Sequence, residues 1–172
     1  MSTNNSTYAP SELVIILTHE TIGNHIVGGF SGNEMVTVNR ANPTWSHETS
    51  PDGFHTRVHN LDTAATANIT LVQTSGSNDA LFALAAYDEA RKNDEGLFSI
   101  TIADKSGRYV MSSTSAYVSV PQEKAFAREV GNRSWMITMM DCEEYIGGNG
   151  KLTKEVIAML EAVGFVVDEQ WK

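Results

Sequence analysis

Three histidines, His47, His55 and His59, lie within thirteen residues of one another, and clustered imidazoles are common nitrogen ligands of zinc. On a helix His55 and His59, four apart, would share a face. The run Phe54-His55-Thr56-Arg57-Val58-His59 alternates as a strand does, with Phe54, Thr56 and Val58 on one side and His55, Arg57 and His59 on the other. At the rise of an extended chain His55 and His59 stand about 13 Å apart, too far to share an ion. The expectation is therefore a row of side chains facing solvent or a partner, with no metal and no cofactor.

Other chemistry is no better supported. Cys142 sits between Asp141 and Glu143, whose charge raises a thiol pKa and weakens it as a nucleophile, and no Gly-x-Ser-x-Gly elbow occurs. Asp141 with Glu144 offers paired carboxylates for a hydrolase or hard ligands for calcium, but no Asp-x-Asp-x-Asp-Gly loop accompanies them. An acidic, solvated strand end is the simpler reading. Gly28-Gly29-Phe30-Ser31-Gly32 lacks the Gly-Lys-Ser/Thr ending of a phosphate loop and reads as a turn. No catalytic set emerges, and an enzyme is not expected.

The elements that carry these residues follow from pattern. The 172 residues suit one domain with a hydrophobic core, and 41% hydrophobic with 19% charged residues is ordinary for a folded chain. Strands are expected at Leu13 to Leu17, Glu34 to Asn39, Ala65 to Leu71, Leu97 to Ala103, Arg108 to Val120 and Ser134 to Asp141, the third alternating most cleanly. Asp104-Lys105-Ser106-Gly107 has the chemistry of a hairpin turn. A helix is expected from about Asn78 to Lys92, capped by Ser77 or Asn78, and a second from Thr153 to Val163, stopped by Gly164.

Between the second and third of these strands, Asn42-Pro43 and Ser50-Pro51-Asp52-Gly53 mark turns around Trp45 and His47. An extended β-arm over about 32–60 is expected to project from the body. The whole is mainly β (α+β), an antiparallel sandwich or barrel with a flanking helix, the arm and a C-terminal helix. Residues 1–150 would form the domain and 151–172 a helical extension.

Composition narrows the partners. Twelve Lys and Arg against 21 Asp and Glu give a formal net charge of −9, which argues against gripping nucleic acid through its phosphates. It does not argue against a conduit, because an acidic wall repels a passing polyanion. The opening Met1 to Pro10 lacks the basic and apolar parts of a signal peptide, and the longest apolar run, Leu13 to Leu17, is five residues against the roughly 20 needed to span a bilayer. A soluble chain made in a cytoplasm, with no disulfide and no membrane partner, is expected.

The order of segments resembles the tail tube proteins of contractile-tailed phages, in particular the PhiTE-type tube family. The resemblance is carried by Asn68-Ile69-Thr70-Leu71-Val72-Gln73-Thr74-Ser75, Ser77-Asn78-Asp79-Ala80-Leu81, Ala85-Ala86-Tyr87-Asp88 and Phe98 through Gly107. It continues in Ala116-Tyr117-Val118, Pro121, Phe126, Arg133-Ser134-Trp135 and Tyr145-Ile146-Gly147-Gly148-Asn149, covering about half of the chain. It implies a subunit of six-membered rings stacked into a tube inside a contractile sheath, in the virion tail. Sheath and baseplate or tail terminator proteins would be its neighbours, and double-stranded DNA would pass through without specific binding. The segment 151–172 extends beyond the compact family core.

A ring subunit needs complementary surfaces on different faces, and a β-arm with unpaired edges offers one. The expected oligomer interface is Trp45, His47, Phe54, His55, Arg57 and His59, all on the arm. The alternative is an adhesion or carbohydrate-binding sandwich domain that uses the loop around Trp45 and His47 as a ligand platform.

Overall fold

The computed structural model describes residues 8–32, 34–120 and 129–171. Pro121 and Phe126, which carry part of the resemblance, lie outside the described residues, as does most of the polar opening. The elements are β1 (Leu13–His19), β2 (Gly23–Ile26), β3 (Val36–Arg40), β4 (Trp45–Thr49), β5 (His55–His59), β6 (Ala65–Val72), α1 (Ser77–Arg91), β7 (Phe98–Asp104), β8 (Tyr109–Val120), β9 (Asn132–Met139), β10 (Glu143–Ile146) and α2 (Lys154–Ala162). The main sheet runs β2-β1-β7-β8-β9-β6-β3 with every pairing antiparallel, and β10 joins β8 off this path.

The two ends of that sheet are consecutive in sequence, and this closes it. Val27 still donates its amide to Ile15 of β1, at 2.8 Å, while two residues later the Gly29 carbonyl accepts from Val72 of β6, also at 2.8 Å. Phe30 then bridges Leu71, and β3 pairs with the rest of β6. The turn between the two walls demands glycine: Gly29 has φ +74, and a Cβ there would stand 2.7 Å from the Ser75 side chain.

The alternation expected from the sequence points into this barrel. Ala65, Ala67, Ile69 and Leu71 of β6, Ile100 and Ile102 of β7, and Ile137 and Met139 of β9 are almost wholly buried, with Leu81 and Leu84 of α1 closing over them. Each of the buried Leu, Ile and Met side chains contributes roughly 1.5–3 kcal/mol, and the alanines less. Trp135 is buried, and its indole N–H donates to the Asn78 side-chain oxygen at 2.9 Å, tying β9 to the start of α1.

The expected cap of α1 is replaced by a tether. Gly76 holds the capping position and makes no side-chain bond to the helix. The Ser77 hydroxyl instead accepts from the Gly28 amide at 2.9 Å and meets His25 Nε2 at 2.9 Å. The Asn78 amide nitrogen donates to the carbonyls of Val72, Gln73 and Ser75. Through these bonds Ser77 and Asn78 hold the two chain segments that meet at Gly29. The β7–β8 turn forms as expected, with the Asp104 carboxylate accepting from the Ser106 amide at 2.9 Å and its hydroxyl at 2.6 Å.

Two boundaries move. The arm expected over 32–60 begins later, because Val36 and Val38 turn toward the core and β3 belongs to the main sheet; only β4 and β5 form the separate two-stranded sheet. The strand expected to reach Asp141 ends at Met139, and β10 takes its place along β8. Both follow one register: Met139 lies opposite Ala116 and Glu143 opposite Ser112, four residues along each strand.

After Thr153, whose hydroxyl accepts from the Val156 amide, α2 runs to Ala162 with no buried residue, and the chain turns at Gly164. Residues 165–171 return to the barrel: Phe165 meets Tyr145 with ring centroids 5.1 Å apart, Val167 is buried, and Trp171 stacks under the Arg108 guanidinium at 4.8 Å. No described helix is long and apolar enough to cross a membrane.

Candidate assembly surface

The arm rises from the barrel on a hydrogen-bonded neck. Ala41 donates its amide to Ala64 O at 2.9 Å, Arg40 donates to the Thr44 hydroxyl at 3.2 Å, and the Asn42 side-chain amide donates to the Asp62 carboxylate at 2.8 Å. The other Asp62 oxygen accepts from the Ala64 amide at 2.9 Å. Those two donors, the Ala64 amide foremost and then Asn42, hold the Asp62 carboxyl below its ordinary range.

At the tip, Ser50-Pro51-Asp52-Gly53 forms the expected turn. Gly53 has φ +85, its amide bonds Ser50 O at 2.9 Å, and the Ser50 amide bonds Phe54 O at 2.9 Å.

Register decides which of the predicted interface residues meet. Trp45 lies opposite His59, His47 opposite Arg57 and Thr49 opposite His55, so all six share one face of the hairpin. The Arg57 guanidinium carbon sits 3.5 Å from the centre of the Trp45 ring, and the His59 ring packs beside that indole at 4.5 Å. Thr49 Oγ1 bonds His55 Nδ1 at 2.9 Å. Phe54 is not with them: by the two-residue period it points to the other face, with Thr56 and Val58.

Every residue of β4 and β5 is exposed, Trp45 at 46%, and Phe54, just before β5, is exposed at 73%. No group of three or more potential metal ligands comes together among the described residues.

The acidic cluster is divided between two structural tasks. At the break between β9 and β10, the Asp141 carboxylate takes the place of a backbone acceptor. It receives the hydroxyls of Ser113, at 2.6 Å, and Thr114, and the amides of Thr114 and Ser115. Burial pushes this carboxyl up, but the Ser113 and Thr114 hydroxyls and the Ser115 and Thr114 amides together outweigh it and hold the pKa at about 2. A carboxylate so firmly ionised is no general acid.

Glu144 faces Arg40 at 3.9 Å, linking β10 to β3. Cys142 is buried, and burial first, then Glu144, pushes its thiol up. Nothing local in the sequence marks the Asp141 staple across the β9–β10 break, although the run Ser113-Thr114-Ser115 holds its donors.

No protein-family model matches the chain. Among known proteins it is similar to "Structural protein ORF10" of Pseudomonas phage KPP10, 35% identical over 172 residues that cover 99% of each chain. Among solved structures it is similar to the tube terminating cap of the anti-feeding prophage, with a TM-score of 0.54 and 10% identity over 82% of this chain and 92% of that one. The sheath/tube terminator of the extracellular contractile injection system PVC also matches at 0.54, with 8% identity over 83% of this chain and 99% of that one.

A chain of the PVC sheath-tube complex matches at 0.52, with 10% identity over 81% of this chain and 91% of that one. At such identities the likeness concerns the fold, which is that of contractile-injection-system tail components. The relationship over the full length carries more, and by it the chain belongs to the family of phage structural proteins, not enzymes, that includes Structural protein ORF10 of Pseudomonas phage KPP10.

Proposed function

We propose that this protein forms hexameric rings that stack into the inner tube of a contractile phage tail, the conduit through which double-stranded DNA leaves the particle, as the PhiTE-type tube resemblance implies. It is made in the host cytoplasm and resides in the virion tail, against sheath, baseplate and terminator proteins. The observation that carries this reading is the arm. A two-stranded hairpin is marginal by itself in water, and this one carries Trp45, Phe54 and Arg57 exposed. Aromatic and Arg side chains are the usual anchors of interfaces, and Trp45, His47, Phe54, His55, Arg57 and His59 are assigned that role here.

A second reading is favoured by two of the neighbouring structures, which are a tube cap and a sheath/tube terminator. A terminator closes one ring and stops; a tube subunit stacks. Electron microscopy of the purified chain separates them. Tubes of indefinite length support the first reading and single rings the second, and chains that stay single at high concentration overturn both.

A further inference from the structure

We propose that the arm of one copy docks into a cleft on the next, at the open mouth of the barrel between the start of β1, β3 and β10. The cleft has a volume of about 800 Å3, and its apolar lining includes Leu13, Val36, Val38, Tyr109 and Ile146. The first four are only partly buried although they pack against the core, and Ile146 is 68% exposed.

Two strand edges border the cleft. Among the described residues β3 pairs only with β6, and β10 only with β8, so each presents one strand edge with no partner there. Such edges are templates for another strand.

Charge selects the occupant. Around the apolar lining stand three carboxylates, Glu34, Asp104 and Glu144, and one guanidinium, Arg40; Arg40 faces Glu144, which leaves Glu34 and Asp104 as the acidic excess. The arm face of Trp45, His47, Thr49, His55, Arg57 and His59 carries a cation and no carboxylate, since Glu48 projects from the opposite face. An apolar aromatic with a cation beside it, carried on a strand pair, matches an apolar slot with acidic rims and free edges.

The arm does not use its own cleft, because every residue of both its strands is exposed. A site and a plug on different parts of one molecule give a head-to-tail contact, which propagates until it closes into a ring or extends as a stack. This inference rests on reading the arm as the assembly element and adds the surface that receives it.

Two variants isolate the contact. Ile146→Lys places a charge in the cleft at an exposed position, and Trp45→Asp removes the anchor of the arm; circular dichroism verifies that both keep the fold. In sedimentation, wild type is expected to assemble and each variant alone to stay single. An equal mixture is expected to stop at dimers, because one intact arm then meets one intact cleft and no further growth follows. A photo-crosslinking residue, p-benzoylphenylalanine, in place of Ile146 in assembled protein is expected to capture residues 45–59 of another copy.

If wild type assembles and Ile146→Lys assembles equally well, or if the crosslink goes to the chain's own N-terminal residues or to an unrelated protein, the docking is overturned while the tube reading stands. A wild-type chain that never assembles overturns both.

Discussion

Asp141 shows how one side chain can stand in for a stretch of backbone. Where β9 gives way to β10, the Asp141 carboxylate supplies the acceptor for the Thr114 and Ser115 amides and for the Ser113 and Thr114 hydroxyls, four hydrogen bonds in all. Bonds to a charged group are worth roughly 1.5–3 kcal/mol, so Asp141→Asn is expected to lower stability by about that much in urea denaturation. The pH dependence has a definite sign. The folded pKa of about 2 lies below the ordinary aspartate value of 3.8, so the contribution is fully present above pH 3.8 and is lost as pH falls through 2. Wild type minus Asp141→Asn, measured from pH 5 to 2, is expected to shrink toward zero at the acid end; a constant difference would contradict the assignment. Next door, Cys142 is buried with its thiol pushed up. It is expected to react with a thiol reagent at neutral pH only after denaturant is added.

At the scale of elements, the barrel and the arm depend on different things. The barrel closes through Gly29, whose φ of +74 and closeness to Ser75 leave no room for a side chain. Gly29→Ala is therefore expected to cost roughly 1–3 kcal/mol, readable as a lowered melting temperature with the β-rich dichroism retained. The arm contributes nothing to the core, since no residue of β4 or β5 is buried. Deleting Asn42 to Pro51, which removes β4 and half of the turn, is expected to leave a folded chain that cannot polymerise. Tubes of normal length from that deletion would refute the role given to the arm.

For the whole molecule, the relevant quantities are its charge and its C-terminal extension. A formal net charge of −9 is expected to leave the chain without affinity for double-stranded DNA in gel shift even at about 50 mM salt, where phosphate binding is strongest. In an assembled ring the acidic excess is expected to face the channel, and a charge map with a basic lumen would oppose that. The return of residues 165–171 onto the barrel buries Val167 and seats Trp171 under Arg108. Truncation after Gly150 is thus expected to keep the barrel, at a cost of about 1.5–3 kcal/mol for the buried side chain alone. The division at residue 150 is in this sense a proposal about stability, tested by melting the shortened chain.

Periodicity alone determined the inward faces of β6 and β9, the course of α1 and the turn at Asp104 to Gly107, because each is set by neighbours within a few residues and by where apolar side chains recur. It also determined the alternation of β5. Tertiary structure alone decided that Gly23–Ile26 and Glu143–Ile146 become strands, since neither has enough apolar residues to show a period and both exist by pairing with a longer strand. The same holds for the closure at Gly29, for Ser77 and Asn78 as tethers, for the Asp141 staple and for the cleft beside β3. Each joins residues far apart in the chain through hydrogen bonds and packing, and no local pattern specifies which distant partner a strand edge or a carboxylate will meet.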